Sequence, residues 1–299
     1  MKRVKIYQID VFTRTPFCGN PAAVVLDALG LTTEEMQAIT REMNLSETAF
    51  VLPPTLPNAD YRVRIFSPRS ELPFAGHPTV ATASALIEEG RVFEGQIPSL
   101  IRQECGIGLV PIVVEKRSDG LFFLMTQAQP RWIDTGIDRG QCAKMLRCGK
   151  DDIVDLPIGI VSTGVNWLII PLTNLRAIKN LKPDMDLIER TCEQAGAVGI
   201  TTFCMDAEQA GNAVHVRTFA PGDGILEDPV CGSGNGSVAG YIAKHGLLPG
   251  IRFDYVAEQG SEIQRPGLVT VKAQLHEDGK WSVQVGGYAV KVLEGEILL

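Results

Sequence analysis

The stretch Arg64-Ile65-Phe66-Ser67-Pro68, followed by Ala75-Gly76-His77, decides the fold because a similar stretch recurs about half the chain later. The second copy reads Arg217-Thr218-Phe219-Ala220-Pro221, followed by Cys231-Gly232-Ser233. In both copies a helical run of small residues comes next and closes on a glycine fourteen residues after the inner glycine. The repeat predicts a duplicated unit of strand, loop and helix, and therefore a chain built from two similar halves.

The two predicted helices also indicate what the protein binds. Each begins beside a glycine, so its first backbone N–H groups lack intrahelical acceptors and carry the positive end of the helix dipole. Helix starts of this kind bind anions. If both starts face the space between the halves, we expect an anionic ligand in an interdomain cleft.

Length and composition favour a globular protein of two domains. The chain has 299 residues, of which 45% are hydrophobic and 21% charged, enough to bury a large core. Its net charge of -7 and its lack of clustered Lys and Arg argue against nucleic acid and favour a small solute as partner. Met1–Lys5 is basic but continues into an alternating strand, and no apolar run of about 18 residues follows. We therefore expect a cytoplasmic protein without a membrane partner.

The sequence gives no signal for a metal or a cofactor. Its seven cysteines form no CxxC pair, and its four histidines are scattered, so we expect free thiols and no metal site. The run Gly232-Ser233-Gly234-Asn235-Gly236 does not match GxGxxG, so a dinucleotide cofactor is not expected either.

The elements predict an α+β fold of two similar domains. The runs His77–Gly90 and Ser233–Gly246 are apolar nearly all round, which is typical of a helix wrapped by a curved sheet. We place the boundary near residues 127–135, giving an N-terminal domain of residues 1–130 and a C-terminal domain of residues 131–289. The tail, residues 290–299, is a candidate to complete the first domain.

Three polar residues are candidates for the chemistry. Glu47 stands between a predicted helix and an apolar strand, where a partly buried carboxyl group can act as a base or an acid. His77 stands at a predicted helix start, which disfavours a charged imidazole and suits a neutral hydrogen-bonding role. Asp228 precedes the second glycine-bearing start, where it can bind a substrate amine while the following N–H groups bind a carboxylate. A loop carboxylate, a core histidine and an Asp-Pro turn are the corresponding structural alternatives.

Cys231 is a fourth candidate. A helix start lowers the pKa of a thiol, so Cys231 can be a nucleophile or base, or simply a small buried residue. A racemase with two bases needs an acid and a base on opposite faces of the substrate carbon. Because the counterpart of Cys231 in the first copy is Ala75, a second thiol is missing.

The chain resembles the phenazine-biosynthesis PhzF-like isomerases in an ordered set of motifs that spans both halves. These motifs are Asp10-Val11-Phe12, Phe17 to Pro21, Ser46 to Phe50, Gly76 to Thr79, and Glu227 to Val230 with Gly232-Ser233-Gly234. The resemblance implies a diaminopimelate epimerase-like fold and a homodimer without metal or cofactor. In the phenazine enzyme the substrate is trans-2,3-dihydro-3-hydroxyanthranilate, and a glutamate that matches Glu47 moves a proton between ring carbons.

The resemblance also implies roles for individual residues. Glu47, His77 and Asp228 match catalytic positions, while the positions assigned to substrate binding are Asn20, Gly76, Gly232 and Ser233. Family members usually have Thr at position 231, whereas the racemases of the wider superfamily have Cys-Gly in both halves. An amino-acid racemase or epimerase is therefore the second hypothesis, and a non-catalytic binder of a small acid is the third. A binder has no need of a general base, so Glu47 weighs against it.

Overall fold

The chain forms two compact units. The structure, a computed structural model, describes residues 3–91, 93 and 95–299, so Met1 and Lys2 of the basic N-terminal segment lie outside the described residues. One unit contains the chain up to Thr126 together with Gly286–Leu299, and the other is Gln127–Val285. Among the described residues, no helix is both long enough and apolar enough to cross a membrane.

The first unit is a mixed sheet with two helices. Its strands before the boundary are β1 (Arg3–Val11), β2 (Asn20–Val25), β3 (Glu47–Leu52), β4 (Tyr61–Phe66), β5 (Glu71–Leu72), β6 (Leu100–Cys105), β7 (Gly108–Arg117) and β8 (Gly120–Thr126). Its helices are α1 (Thr33–Met43) and α2 (Gly76–Glu88). The pairs β2–β3 and β4–β6 are parallel, whereas β1–β2, β3–β4, β6–β7 and β7–β8 are antiparallel.

The second unit repeats this arrangement. Its strands are β9 (Arg131–Asp134), β10 (Gly159–Ser162), β11 (Asn166–Pro171), β12 (Gly199–Cys204), β13 (Val214–Ala220), β14 (Ile225–Asp228), β15 (Arg252–Gln259), β16 (Gly267–Leu275) and β17 (Trp281–Gly287), which ends in the first unit. Its helices are α3 (Arg139–Leu146), α4 (Leu175–Lys179), α5 (Met185–Ala195) and α6 (Gly232–His245). The pairs β11–β12 and β13–β15 are parallel, and β12–β13 and β15–β16 are antiparallel, as in the first unit.

The last strand, β18 (Ala289–Leu298), belongs to the first unit. It pairs antiparallel with β1 along its whole length, from Arg3 opposite Leu298 to Val11 opposite Ala289. A strand from the end of the chain therefore completes the sheet that the start of the chain begins.

One ion pair is repeated in the two units. Arg64 donates from Nε and Nη2 to Glu71 at 2.7 and 2.6 Å, and Arg217 donates from the same atoms to Glu227 at 2.8 and 2.9 Å. Each guanidinium lies 5.1 Å from the ring centroid of the phenylalanine two residues later. The predicted duplication and the α+β class are thus confirmed.

The central helices explain the small residues of the repeat. Almost every residue of α2 and α6 up to the last turn is buried. In α6, an added Cβ at Gly236 would lie 2.9 Å from Gln127, and one at Gly240 would lie 2.9 Å from Val161. Real Cβ atoms do not approach so closely, so a larger residue at either position would have to displace a neighbouring side chain.

Several elements differ from the sequence-based expectation. Both central helices begin one residue earlier than predicted, at Gly76 and Gly232, and α2 ends at Glu88 rather than Gly90. Helix α1 begins with a capping box, in which Thr32 Oγ1 accepts from the Glu35 N–H and Glu35 accepts from the Thr32 N–H. The strands β5, β6, β9 and β14, the helix α4 and the ten-residue strand β18 were not predicted as elements.

Candidate active site

Glu47 and His77 meet inside the first unit. Glu47 begins β3 and His77 is the second residue of α2, and their side chains are only 10% and 6% exposed. Glu47 Oε2 lies 3.0 Å from His77 Nε2. The two groups are not aligned for a hydrogen bond, and Oε2 accepts none from any described residue. This carboxyl group therefore holds a buried oxygen that is available to take a proton.

Ser46 connects this pair to Asn20. The Ser46 hydroxyl donates to Asn20 Oδ1 at 3.3 Å and lies 3.4 Å from His77 Nε2. Asn20 begins β2, whose parallel register sets Ala22 opposite Glu47. The structure thus brings three of the predicted residues, Asn20, Glu47 and His77, into one group and adds Ser46, which sequence reasoning did not assign a role.

The start of α2 offers room for a ligand. Its N-cap residue, Ala75, is extended and makes no side-chain capping bond. An added Cβ at Gly76 would meet only Met125 Cε, at 3.5 Å, which is an ordinary van der Waals distance. Packing therefore does not require glycine at position 76, and its bare Cα leaves space beside the backbone N–H groups of the first turn.

Asp228 is held by hydrogen bonds in the second unit. It ends β14 and is 7% exposed, and its Oδ1 accepts from the Val230 N–H at 3.0 Å. Gln259 donates to the Asp228 carbonyl at 2.9 Å and accepts from the Cys231 N–H at 3.1 Å. The Asp-Pro turn of the structural alternative is therefore present, but it holds a buried carboxylate. Gln259 fixes the loop, and no motif distinguished this residue in the sequence.

The start of α6 differs from that of α2. Cys231 is the N-cap residue, and its Sγ accepts from the Gly234 N–H at 3.3 Å. Ser233 Oγ accepts from Trp167 Nε1 at 3.0 Å and lies 3.5 Å from Cys231 Sγ. Because the indole occupies one acceptor position of Oγ, the hydroxyl proton of Ser233 is left to donate to the thiol or to a ligand.

Burial, with the negative charge of Asp228 as a second cause, raises the pKa of the Cys231 thiol well above its usual range. A helix start alone would lower that pKa, as the sequence suggested, but removing the thiolate from water outweighs the dipole. Of the two alternatives that the sequence left open for Cys231, the small buried cysteine therefore fits the structure better than the thiolate. Cys231 is a protonated, buried cysteine at neutral pH.

The two units do not carry the same acid. Thr48 pairs with Phe66 in the first unit as Ile200 pairs with Phe219 in the second, so Glu47 corresponds to Gly199. An added Cβ at Gly199 would lie 2.2 Å from the Phe219 carbonyl oxygen and 3.0 Å from the Trp167 ring. The second unit therefore has no space for a side chain where the first has its carboxylate.

One group of described residues has the composition of a metal site. Potential ligand atoms of Glu208, His215 and Glu262 lie within 4.8 Å of one another. Within the described part of the chain, Glu47, His77 and Asp228 belong to no such group.

The chain is similar over its whole length to known proteins. A family model described as phenazine biosynthesis-like protein matches residues 9–295. An uncharacterised isomerase of Clostridium acetobutylicum is 34% identical and covers 100% of this chain and 99% of its own. The trans-2,3-dihydro-3-hydroxyanthranilate isomerase of Pseudomonas fluorescens is also 34% identical, covering 97% and 98%. The crystal structure of a PhzF-family phenazine biosynthesis protein of Bacillus anthracis covers both chains completely, with a TM-score of 0.91 and 33% identity.

Proposed function

Because this chain belongs to the phenazine biosynthesis-like protein family, whose members include named isomerases, we propose that Glu47 transfers a proton between two carbons of its substrate. The observation that carries the proposal is the buried Oε2 of Glu47, which lies 3.0 Å from His77 Nε2 and accepts no hydrogen bond from a described residue. A general base needs such an oxygen within reach of the proton it removes.

The proposed reaction is an isomerisation without a cofactor. Glu47 takes a proton from a carbon next to an electron-withdrawing group, the electron pair moves into the conjugated system, and the proton returns at another carbon. Substrate and product therefore have the same atoms and the same oxidation level. In this scheme His77, whose Nε2 lies 3.0 Å from Oε2, is the polar group next to the carboxyl group of Glu47.

The substrate class follows from the remaining groups. The helix starts at Gly76 and Gly232 suit a carboxylate, and a buried aspartate beside the second of them suits an amine. We propose that Gly76, Gly232 and Ser233 hold the substrate carboxylate, that Asn20 contributes a polar contact, and that Asp228 binds the amine. A small, cyclic amino-carboxylate resembling dihydrohydroxyanthranilate meets these requirements. A homodimer in the cytoplasm stays a prediction from the family resemblance and the composition.

The racemase hypothesis is weaker than the isomerase hypothesis. It requires paired thiols, but Cys231 is protonated at neutral pH and its counterpart is Ala75. The binder hypothesis predicts no proton exchange at all. Neither hypothesis makes use of a buried glutamate without a hydrogen-bond donor.

The test is a screen for solvent deuterium uptake. The purified protein is incubated in D2O with cyclic amino acids and dihydroanthranilate analogues, and the products are analysed by NMR and mass spectrometry. We expect deuterium at a carbon together with a shifted double bond. Deuterium uptake with inversion at a single stereocentre would support a racemase, and binding without uptake would support a binder. Either result would overturn the proposal.

A further inference from the structure

His215 in β13 lies between two glutamates in the second unit. The side chain is fully buried, with Nδ1 2.8 Å from Glu258 Oε1 and Nε2 2.8 Å from Glu262 Oε1. These residues are remote in sequence and meet because β13 and β15 pair in parallel, which sets His215 opposite Glu258. The proposed isomerisation uses none of them.

Both carboxylate oxygens of Glu258 accept hydrogen bonds from residues other than His215. One oxygen accepts from the Glu208 N–H, and the other accepts from the Gln209 N–H at 3.2 Å and from Asn212 Nδ2 at 2.8 Å. With these bonds in place, Glu258 fixes the ring of His215 through Nδ1. In metal sites generally, a carboxylate that accepts from one imidazole nitrogen orients the ring so that its other nitrogen can bind the metal ion.

Glu262 lacks a donor for its second oxygen. Its side chain is 10% exposed, and Oε2 is buried without a hydrogen-bond partner among the described residues. Oε1 of the same carboxylate lies 2.8 Å from His215 Nε2. Glu208 adds a third carboxylate, which pairs with Lys179 Nζ at 2.5 Å. A buried carboxylate oxygen without a partner is costly, so this position calls for a cation.

The first unit has an arginine, Arg62, at the position that corresponds to His215. Arg62 pairs with Glu104 there as His215 pairs with Glu258, and Glu104 likewise accepts backbone N–H groups, those of Thr55 and Leu56. The first unit thus places a permanent cation, Arg62, where the second unit has an imidazole. The second unit also adds the carboxylates of Glu208 and Glu262, which increases its need for positive charge.

We propose that His215 Nε2, Glu262 and Glu208 bind a divalent transition-metal ion of the Zn2+ type, with Glu258 as the group that orients His215. One imidazole nitrogen and carboxylate oxygens suit Zn2+, Co2+ and Mn2+, and Oε2 of Glu262 would gain the cation that it lacks. In the bound form the ion replaces the contact between Nε2 and Glu262, and Lys179 no longer pairs with Glu208. The ion would join the loop after β12, strand β13 and the short 3-10 helix Ser261–Ile263.

The experiment measures metal binding directly. Full-length protein is treated with EDTA, dialysed against Zn2+ at equilibrium, and analysed for zinc and by thermal unfolding. We expect one zinc ion per chain and a higher midpoint of unfolding with Zn2+, because a ligand of the folded state stabilises it. Glu262→Gln and Glu208→Gln should each weaken binding at least tenfold. His276→Gln, which removes an exposed histidine bonded to Ser282, should bind zinc as the wild type does.

Two results would overturn the proposal. The first is a wild-type protein that binds no zinc, which would make the cluster a hydrogen-bonded group of one histidinium and its carboxylates. The second is zinc that both Glu262→Gln and Glu208→Gln retain at full affinity. Co2+ gives an independent check, because cobalt bound by thiolates shows intense near-ultraviolet charge-transfer bands, and such bands would place the ion on cysteines. His215→Gln is less informative because its side chain is fully buried and the variant can fail to fold.

Discussion

Glu47 and Gly199 occupy equivalent positions in the two units, each as the first residue of a strand that is parallel to its neighbour. In the first unit the position carries the proposed base. In the second, the Phe219 carbonyl and the Trp167 ring fill the space that a side chain would need. The duplicated fold therefore supplies one glutamate rather than two, which favours proton transfer by a single carboxyl group.

Replacing Glu47 with Gln should remove most of the activity and little of the binding. Glutamine has nearly the same shape but cannot accept the proton, and loss of a general base costs about a hundred- to ten-thousand-fold in rate. Turnover, deuterium exchange and substrate affinity would be compared with those of the wild type. Glu115→Gln, which alters an ion pair with Arg117 in the same unit, is the control and should keep full activity. Exchange at the wild-type rate in Glu47→Gln would remove Glu47 from the mechanism.

Gly76→Ala should weaken substrate binding without changing stability, whereas Gly234→Ala should lower the stability of the fold. A methyl group at Gly76 fits beside Met125, so Gly76→Ala should unfold at the wild-type midpoint but bind substrate at least about tenfold more weakly, or ~1.4 kcal/mol. A methyl group at Gly234 would lie 2.8 Å from Thr201 Oγ1, so Gly234→Ala should lose about 1–3 kcal/mol of stability. Chemical denaturation and titration calorimetry measure the two effects. Unchanged substrate affinity in Gly76→Ala would show that the start of α2 does not hold substrate.

Cys231 should be dispensable for the chemistry. Its thiol is protonated at neutral pH, and Thr can replace it as the N-cap residue of α6. Turnover of Cys231→Thr should stay within about tenfold of the wild type, a barrier change of ~1.4 kcal/mol or less. In the native protein Cys231 should also resist iodoacetamide, as peptide mass spectrometry before and after unfolding would show. An inactive but folded Cys231→Thr variant would revive the racemase hypothesis.

Trp167 should affect substrate binding indirectly, because its indole N–H donates to the hydroxyl of Ser233. Phenylalanine at position 167 keeps much of the ring packing but removes the N–H that Ser233 Oγ accepts, a bond worth about 0.5–1.5 kcal/mol. Trp167→Phe should therefore raise KM severalfold with little change in kcat. Trp281→Phe, a change at a tryptophan that packs on Phe253, is the matched control.

A double variant tests this coupling. If Trp167 acts through the hydroxyl of Ser233, Trp167→Phe should add almost nothing to the effect of Ser233→Ala. Full additivity of the two changes would show that the indole acts on substrate by another route.

The sequence predicted the repeated core of the fold and singled out Glu47 and His77 as separate candidates, because those residues stand in local motifs at recognisable helix and strand ends. It did not predict the roles of Gln259 and Trp167. Gln259 reaches Asp228 and Cys231 only through the pairing of β13 with β15, and Trp167 reaches Ser233 from another strand. Contacts that depend on long-range pairing leave no pattern along the chain. The choice between a thiolate and a buried thiol at Cys231 stayed open for a related reason, since burial depends on packing that a single sequence does not show.

The pairing of β18 with β1 has a consequence for synthesis on the ribosome. Because β18 follows the whole second unit in the chain, the nascent first unit must wait for it while the second unit can already fold. During that interval the β1 edge stays unpaired on one side, and unpaired edges recruit other strands. Nascent chains of this protein are thus expected to need protection by a chaperone at the N-terminal sheet until translation has passed Leu298.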